Sequence, residues 1–259
     1  MWPGAVIHLF AGGSEAHGAK GDTPGDTDIL GVYIQPIEYM AGIQRVDLGG
    51  RAFDPDVHVW KSSGDERRNA PGDTDLCLYS LRKWAGMAAT GNTTALEFLF
   101  VPNLLAPSLW DRHVVPVTAA FLSAHAAHHF REFCNAQVER LTGRGLGRHG
   151  RRPAVVEEHG FDTKLAMHAL RVLGEGVELM EAGRITLPRP EPERSYLSAV
   201  RRGLVPRDDV LADCGRRLEA LEAARLGTSL PPEPDRARIS GAVAAATAEH
   251  WRAAGDGEE

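Results

Sequence analysis

A Gly-Gly-Ser turn between two apolar segments, the second of which begins with two nearby aspartates, constrains this chain more than any other feature. Residues 5–10, AVIHLF, predict a short buried strand, and the turn at 12–14 follows it almost directly. Residues 27–34 predict a second strand, with Asp26 and Asp28 at its beginning. Because side chains alternate along a strand, both carboxylates are expected on the same side of a sheet.

Two carboxylates at this spacing repel each other unless a cation lies between them. Oxygen ligands of this kind favour a hard divalent cation such as Mg²⁺ or Mn²⁺. The turn can open a helix whose unpaired N–H groups face an anion. Gly13 and Ser14 therefore predict a site that holds a triphosphate through backbone N–H groups and a hydroxyl.

A third carboxylate stands at the start of another predicted strand, residues 75–80. If that strand lies next to 27–34, Asp75 joins Asp26 and Asp28 as a metal ligand, or acts as the base that deprotonates an attacking hydroxyl. Asp73 is the nearby competitor for this role, but the sequence places it in the preceding turn.

In the rest of the chain, apolar residues alternate less with polar ones and recur mostly at helical spacing. The fold class predicted is α+β, with a small mixed β-sheet and its helices followed by an all-helical C-terminal domain. The predicted domains are residues 1–103, 104–230 and 231–259. Beyond the strands already given, the pattern predicts a strand at 57–60 and helices at 81–90, 93–100, 116–141, 163–182, 193–203, 208–226 and 235–254.

One predicted helix, 163–182, carries a row of basic side chains. Lys164, His168 and Arg171 fall at i, i+4 and i+7, so they share one face of the helix. Two cations and an imidazole on one face could bind the phosphates of a nucleotide or a departing pyrophosphate. The alternative is an ordinary solvated helix face.

Several other residues and segments have two possible interpretations each. The spacing of His125, His128 and His129 is compatible with zinc, although no cysteine or carboxylate joins them, which favours a packed or polar helix face. Residues 140–152 form a Gly-rich basic segment, interpreted as a solvated loop or as a contact with a nucleic-acid backbone. His17 is interpreted as a base or phosphate contact or as a structural residue.

The large aromatic residues are expected in the core; these are Trp60, Trp84 and Trp110.

Composition bears on nucleic-acid binding, redox compartment and membrane association. The chain has 259 residues and a formal net charge of −6, which does not indicate a general nucleic-acid binder. Its three cysteines form no C-x-x-C pair, which favours a reducing compartment. Neither a membrane-spanning apolar run nor a leader pattern is present, so a cytoplasmic protein without membrane partners is expected.

Four sequence blocks carry a resemblance to a known family. A Gly-Ser pair, eleven residues and then D-x-D resemble the signature of the DNA polymerase β-like nucleotidyltransferase superfamily. The blocks GGSEAHG, TPGDTDILGVYI, DLCLYSLRKWAGMAATGNTTALEFLF and HGFDTKLAMHALRVLGEGVELMEAG, in this order, resemble its RlaP-like branch. The similarity extends over about residues 5–226. Glu15 and His17 stand where a basic and an aromatic residue are expected, a departure that concerns substrate choice.

The resemblance implies a nucleotidyltransferase-type sheet. It also implies Asp26, Asp28 and Asp75 as metal ligands, with Gly13 and Ser14 at the triphosphate. The predicted function is metal-dependent transfer of NMP from an NTP to an acceptor hydroxyl, with release of pyrophosphate. The acceptor could be RNA or tRNA, which the basic loop favours, or a protein or a small molecule. The alternatives are an antitoxin-like protein that nucleotidylates a partner protein, and an inactive homologue that binds nucleotide or RNA.

Overall fold

A computed structural model describes residues 4–18, 26–41, 56–64, 72–143 and 153–255. Most of the predicted basic loop, residues 144–152, lies outside these ranges, and its role as a nucleic-acid contact stays a prediction.

The chain has an α+β fold, as the sequence predicts, and its described residues include a four-stranded mixed sheet. Its order is β1-β2-β4-β3, with β2 and β4 parallel and the other two pairs antiparallel. The parallel pair places Asp28 directly beside Asp75. The strands are β1 (Ala5–Ala11), β2 (Thr27–Ile34), β3 (Val57–Lys61) and β4 (Thr74–Ser80).

An aromatic core packs against the sheet. Trp84 is completely buried, Trp110 is nearly so, and the Trp110 ring stacks on His8 with 4.1 Å between the ring centroids. Burial lowers the pKa of His8 to about 4, so its imidazole is neutral near neutral pH. The prediction that Trp60 belongs to the core is wrong. Its side chain is 50% exposed because β3 forms the edge of the sheet.

Helices make up most of the remaining described chain. They are α1 (Gly13–Ala16), α2 (Ile37–Met40), α3 (Leu81–Ala89), α4 (Thr93–Glu97), α5 (Thr118–Phe121), α6 (Ala126–Leu141), α7 (Pro153–His159), α8 (Thr163–Ala182), α9 (Glu193–Arg201), α10 (Arg207–Gly227) and α11 (Arg236–Gly255). A π-helical turn (Trp110–Val114) and a 3₁₀ turn (Val115–Val117) precede α5.

The ends of the two best predicted helices are fixed by their caps. The Ser80 hydroxyl accepts a hydrogen bond from the Lys83 N–H at 3.1 Å, which caps α3. The Asp162 carboxylate accepts the N–H groups of Lys164 and Leu165 at the start of α8. Gly183 ends α8 with φ of +63°, the left-handed conformation that glycine adopts without strain.

The long helix predicted over 116–141 is wrong, because the chain breaks between α5 and α6. There the N–H of Ala124 donates to the Pro231 carbonyl at 2.8 Å, and that of His125 donates to the Pro232 carbonyl at 3.1 Å. These bonds to a distant segment replace helical ones. The apolar spacing continues through the break, which is why the sequence pattern did not reveal it.

The chain forms two compact units. Unit 1 comprises Met1–Thr90, Thr94–Phe121 and Pro234–Glu259, and unit 2 comprises Gly91–Thr93 and Leu122–Glu233. The predicted tail, 231–259, thus contributes α11 to the unit that contains the sheet.

Side-chain contacts explain the position of α11. The Trp251 indole N–H donates to the Gln35 carbonyl at 2.8 Å, just beyond β2. The imidazole of His113 lies 2.6 Å from the Glu249 carboxylate. An amphipathic pattern predicts that α11 packs on something, but it does not identify the partner surface.

Unit 2 is organised around α8, which packs against α6, α9 and α10. Gly176 on α8 lies against the Phe130 ring of α6, where an added Cβ would come within 2.8 Å. The buried Cys134 and Cys214 are free thiols on α6 and α10, and the half-buried Cys77 on β4 of unit 1 is free as well. Among the helices in the described ranges, none has the length and apolarity needed to cross a membrane.

Replacing Gly31 with alanine is expected to destabilise the sheet. A Cβ at this position of β2 would lie 2.5 Å from the backbone oxygen of His8 on the neighbouring strand. We expect Gly31→Ala to lower the free energy of unfolding by about 2 kcal/mol, measured by urea denaturation. Gly86→Ala is the matched control, because its Cβ on α3 would have no atom within 4 Å. That change is expected to be neutral or to stabilise the protein by up to about 1 kcal/mol. Equal losses in the two variants would contradict the close contact at Gly31.

Candidate metal centre

Three carboxylates meet at one end of the parallel strand pair. Asp28 and Asp75 are neighbours across β2 and β4, and Asp26 immediately precedes β2. Each offers an oxygen atom, and these oxygens all lie within 4.8 Å of one another. Asp26 is exposed, whereas the other two are half-buried. The structure therefore brings together the three aspartates that the sequence singled out.

Main-chain hydrogen bonds hold this end of the sheet in register. The Thr27 N–H donates to the Asp73 carbonyl at 2.7 Å, and the Gly12 N–H donates to the Asp28 carbonyl at 2.8 Å. Asp73, the competing candidate, accepts a hydrogen bond from the Ser62 hydroxyl at 3.2 Å. Its carboxylate is not a member of the three-aspartate cluster.

The glycine turn lies against the carboxylate of Asp28. Gly13 has φ of +57°, and a Cβ added to it would lie 2.1 Å from Asp28 Oδ2. Only a residue without a side chain leaves that carboxylate where it is. Ser14 follows in the short helix α1, so both residues predicted at the triphosphate lie on the chain segment next to the aspartates.

The cluster is chemically suited to a hard divalent cation. Three carboxylates this close repel one another, and a cation between them removes the repulsion. Their oxygen atoms are the ligands that Mg²⁺ and Mn²⁺ prefer.

One charged residue of the site was not found from the sequence. Lys61 Nζ lies 3.5 Å from Asp75 Oδ2, and the two residues face each other across β3 and β4. The strand predicted at 57–60 ends just before Lys61, and its register against β4 could not be read from the sequence.

His17 has a partner within unit 1. It is 6% exposed, and its Nε2 lies 3.4 Å from Glu97 Oε2. This contact connects the segment after α1 with the end of α4, which favours the structural interpretation of His17.

The predicted phosphate-binding face lies on α8, in unit 2. Lys164 and His168 are half-buried, and Arg171 is buried. Arg171 Nη1 donates to Glu175 Oε1 at 2.8 Å, so part of this guanidinium already binds a carboxylate. The sequence predicted a phosphate contact or a solvated helix face for this residue, and neither prediction includes a buried ion pair.

The three histidines at the start of α6 contact other side chains. His125 Nδ1 lies 3.6 Å from Glu233 Oε1, and His128 Nδ1 lies 2.9 Å from Arg131 Nη2. Burial, followed by the positive potential of its two histidine neighbours, lowers the pKa of His129. Among the described residues, these imidazoles do not form a group whose ligand atoms lie within 4.8 Å of one another.

Comparison with known proteins gives a family match. Residues 3–213 match the model of RlaP, described as the RNA repair pathway DNA polymerase beta family. Among solved structures, the chain is similar to a nucleotidyltransferase-like protein from Exiguobacterium sibiricum 255-15, with 11% sequence identity and a TM-score of 0.27. The alignment covers 86% of this chain and 69% of that protein. No curated protein gives a significant match.

Gly13→Ala is expected to weaken metal binding without unfolding the protein. The new methyl group would displace the Asp28 carboxylate, so we expect the affinity for Mn²⁺, measured by electron paramagnetic resonance, to fall at least about tenfold. Gly64→Ala is the matched control, because Gly64 has a similar φ of +75° and open space around it. It imposes the same backbone strain without the clash. Equal Mn²⁺ affinities in the two variants would show that Gly13 does not shape the site.

Proposed function

The chain belongs to the RlaP family, and from this premise we propose that it is a metal-dependent nucleotidyltransferase. The family indicates nucleotidyltransferase-type function. We propose in addition that the protein transfers NMP from an NTP to an acceptor hydroxyl and releases pyrophosphate. The observation that carries this proposal is the convergence of Asp26, Asp28 and Asp75 beside the turn at Gly13.

In this proposal the three carboxylates have different roles. Asp26 and Asp28 would hold Mg²⁺ or Mn²⁺, and Asp75 would complete the ligand set or accept the proton of the attacking hydroxyl. The bound ion would supply charge neutralisation on the triphosphate and activation of the hydroxyl. The acceptor oxygen forms a bond to the α-phosphorus as the bond to the β-phosphate oxygen breaks, and pyrophosphate leaves.

The glycine turn would bind the triphosphate. The main chain at Gly13 lies against Asp28, so a phosphate held by N–H groups of Gly13 and Ser14 would lie beside the metal ligands. We propose separately that Lys164, His168 and Arg171 on α8 bind phosphate.

RNA is the acceptor that we propose. The family description names an RNA repair pathway, and the basic segment 140–152 has the composition of a contact with a nucleic-acid backbone.

The test of the acceptor is to incubate the protein with each labelled NTP, Mg²⁺ or Mn²⁺, and either total RNA or cell lysate. Label on RNA supports this acceptor. Label on a protein would point to nucleotidylation of a partner, and binding without pyrophosphate release would point to an inactive homologue.

Removing two of the carboxylates is expected to abolish transfer. We expect Asp26→Asn combined with Asp28→Asn to lower the transfer rate at least about a thousandfold, since the metal would lose two charged ligands. Thermal unfolding should be unchanged or occur at higher temperature, because charge repulsion is reduced. Asp73→Asn is the control, because this neighbour keeps its role as acceptor for Ser62. Unchanged transfer by the double variant would discard the assignment.

Lys164→Ala tests the proposed role of α8. Loss of one phosphate contact is expected to raise KM for the NTP about tenfold, with a smaller effect on kcat if the contact is equal in ground and transition states. Arg207→Ala removes a positive charge from an exposed position at the start of α10 in the same unit and is expected to leave KM unchanged. The same change in KM for both variants would indicate a general effect of net charge and would contradict a specific contact at Lys164.

A further inference from the structure

A lysine and two aspartates occupy neighbouring positions across three strands. Asp28 on β2 faces Asp75 on β4, and Asp75 in turn faces Lys61 on β3. The ammonium of Lys61 lies 3.5 Å from Asp75 Oδ2. One of the proposed metal ligands is therefore in contact with a cation that belongs to the protein itself.

The backbone of Lys61 is held in place, and its side chain is partly exposed. The next residue, Ser62, donates its N–H to the Thr74 carbonyl at 2.9 Å and accepts the Thr74 N–H on its hydroxyl at 2.8 Å. These bonds fix the end of β3 against β4. The lysine side chain is 34% exposed and has a flexible four-carbon stem, so a shift of its ammonium does not require a shift of the strand.

We propose that Lys61 is an internal counter-cation of the metal centre, which pairs with Asp75 in the metal-free protein and with nucleotide phosphate in the loaded one. The inference rests on the proposed function. A lysine ammonium is a compact charge with three donors, suited to either anion. Before loading, it offsets part of the repulsion among the three carboxylates. Once a divalent ion is bound to Asp75, the two cations repel each other, and the phosphates of the NTP offer the ammonium a new partner.

This exchange couples metal binding to nucleotide binding. The metal alone must bind against the positive charge of Lys61, whereas the metal together with a triphosphate does not. Each ligand therefore raises the affinity for the other by the same factor. The site would load with metal and nucleotide together, and metal without nucleotide would bind weakly.

A structural ion pair at the edge of the sheet is the competing explanation. In that case, removing the lysine charge would alter stability slightly and would leave the coupling between metal and nucleotide as it was.

The test is a titration of the full-length chain with Mn²⁺, followed by electron paramagnetic resonance. It is run with and without each of the four ribonucleoside triphosphates in the non-reactive α,β-methylene form. Lys61→Met keeps the side-chain length and removes the charge. We expect Lys61→Met to bind Mn²⁺ alone about tenfold more tightly, and to show a correspondingly smaller increase in Mn²⁺ affinity when the nucleotide is added. Lys61→Arg keeps the charge and is expected to retain the coupling.

Arg252→Met is the control for net charge. Arg252 is exposed on α11 in the same unit, and the adjacent Trp251 contacts Gln35, at the opposite end of β2 from Asp28. This variant is expected to bind Mn²⁺ and nucleotide as the unaltered protein does. Thermal unfolding confirms that each variant is folded.

The outcomes separate this inference from the proposed function. Mn²⁺ affinity or nucleotide coupling that is unchanged in Lys61→Met overturns the role of Lys61, and so does weaker Mn²⁺ binding. If Lys61→Met gives such a result but Asp26→Asn with Asp28→Asn abolishes Mn²⁺ binding, the proposed metal centre stands and only the role of Lys61 is rejected. If the unaltered protein binds no Mn²⁺ even with nucleotide, both the metal centre and the role of Lys61 are overturned.

Discussion

The parallel pairing of β2 with β4 is the interaction on which the candidate site depends. It sets Asp28 beside Asp75, and the bond from the Thr27 N–H to the Asp73 carbonyl closes the pair at that end. Carboxylates so close together repel each other, and in a flexible segment they would move apart. The backbone ladder prevents this, so the cluster keeps a charge arrangement that favours a divalent cation. The backbone hydrogen bonds of the sheet therefore offset the repulsion and keep the three carboxylates close together before any cation binds.

The surrounding structure keeps this strand pair rigid and leaves room at its end. The buried rings of Trp84 and Trp110 fix one face of the sheet from within unit 1. The site itself needs space, and Gly13 provides it because any side chain there would collide with Asp28. A firm aromatic core and a turn without side chains thus serve the same purpose. Both hold the ligand atoms at one end of the two central strands without filling the place where a ligand would bind.

Several charged residues in the described part of the chain are paired with internal partners, which affects how the role of a basic residue is interpreted. Arg171 has the helical spacing of a phosphate ligand, yet it also binds the buried Glu175. Arg189 lies between Glu178 and Glu193 within unit 2. A sequence pattern shows where charges occur, but it does not show which of them already balance one another. The ion pair between Lys61 and Asp75 is another internal pair of this kind. It matters for function because Asp75 is one of the proposed metal ligands.

The sequence by itself determined the local elements and the identity of the three aspartates. Strand alternation, the Ser80 and Asp162 caps and the terminal Gly183 are local effects, so β2 and the ends of α8 could be predicted closely. Only the tertiary structure decided what depends on distant partners. It broke the predicted helix 116–141, exposed Trp60 on an edge strand, joined α11 to the unit with the sheet and placed Lys61 opposite Asp75. Strand register and helix docking depend on contacts between residues far apart in the chain, and a periodic pattern carries no information about which surface it will meet.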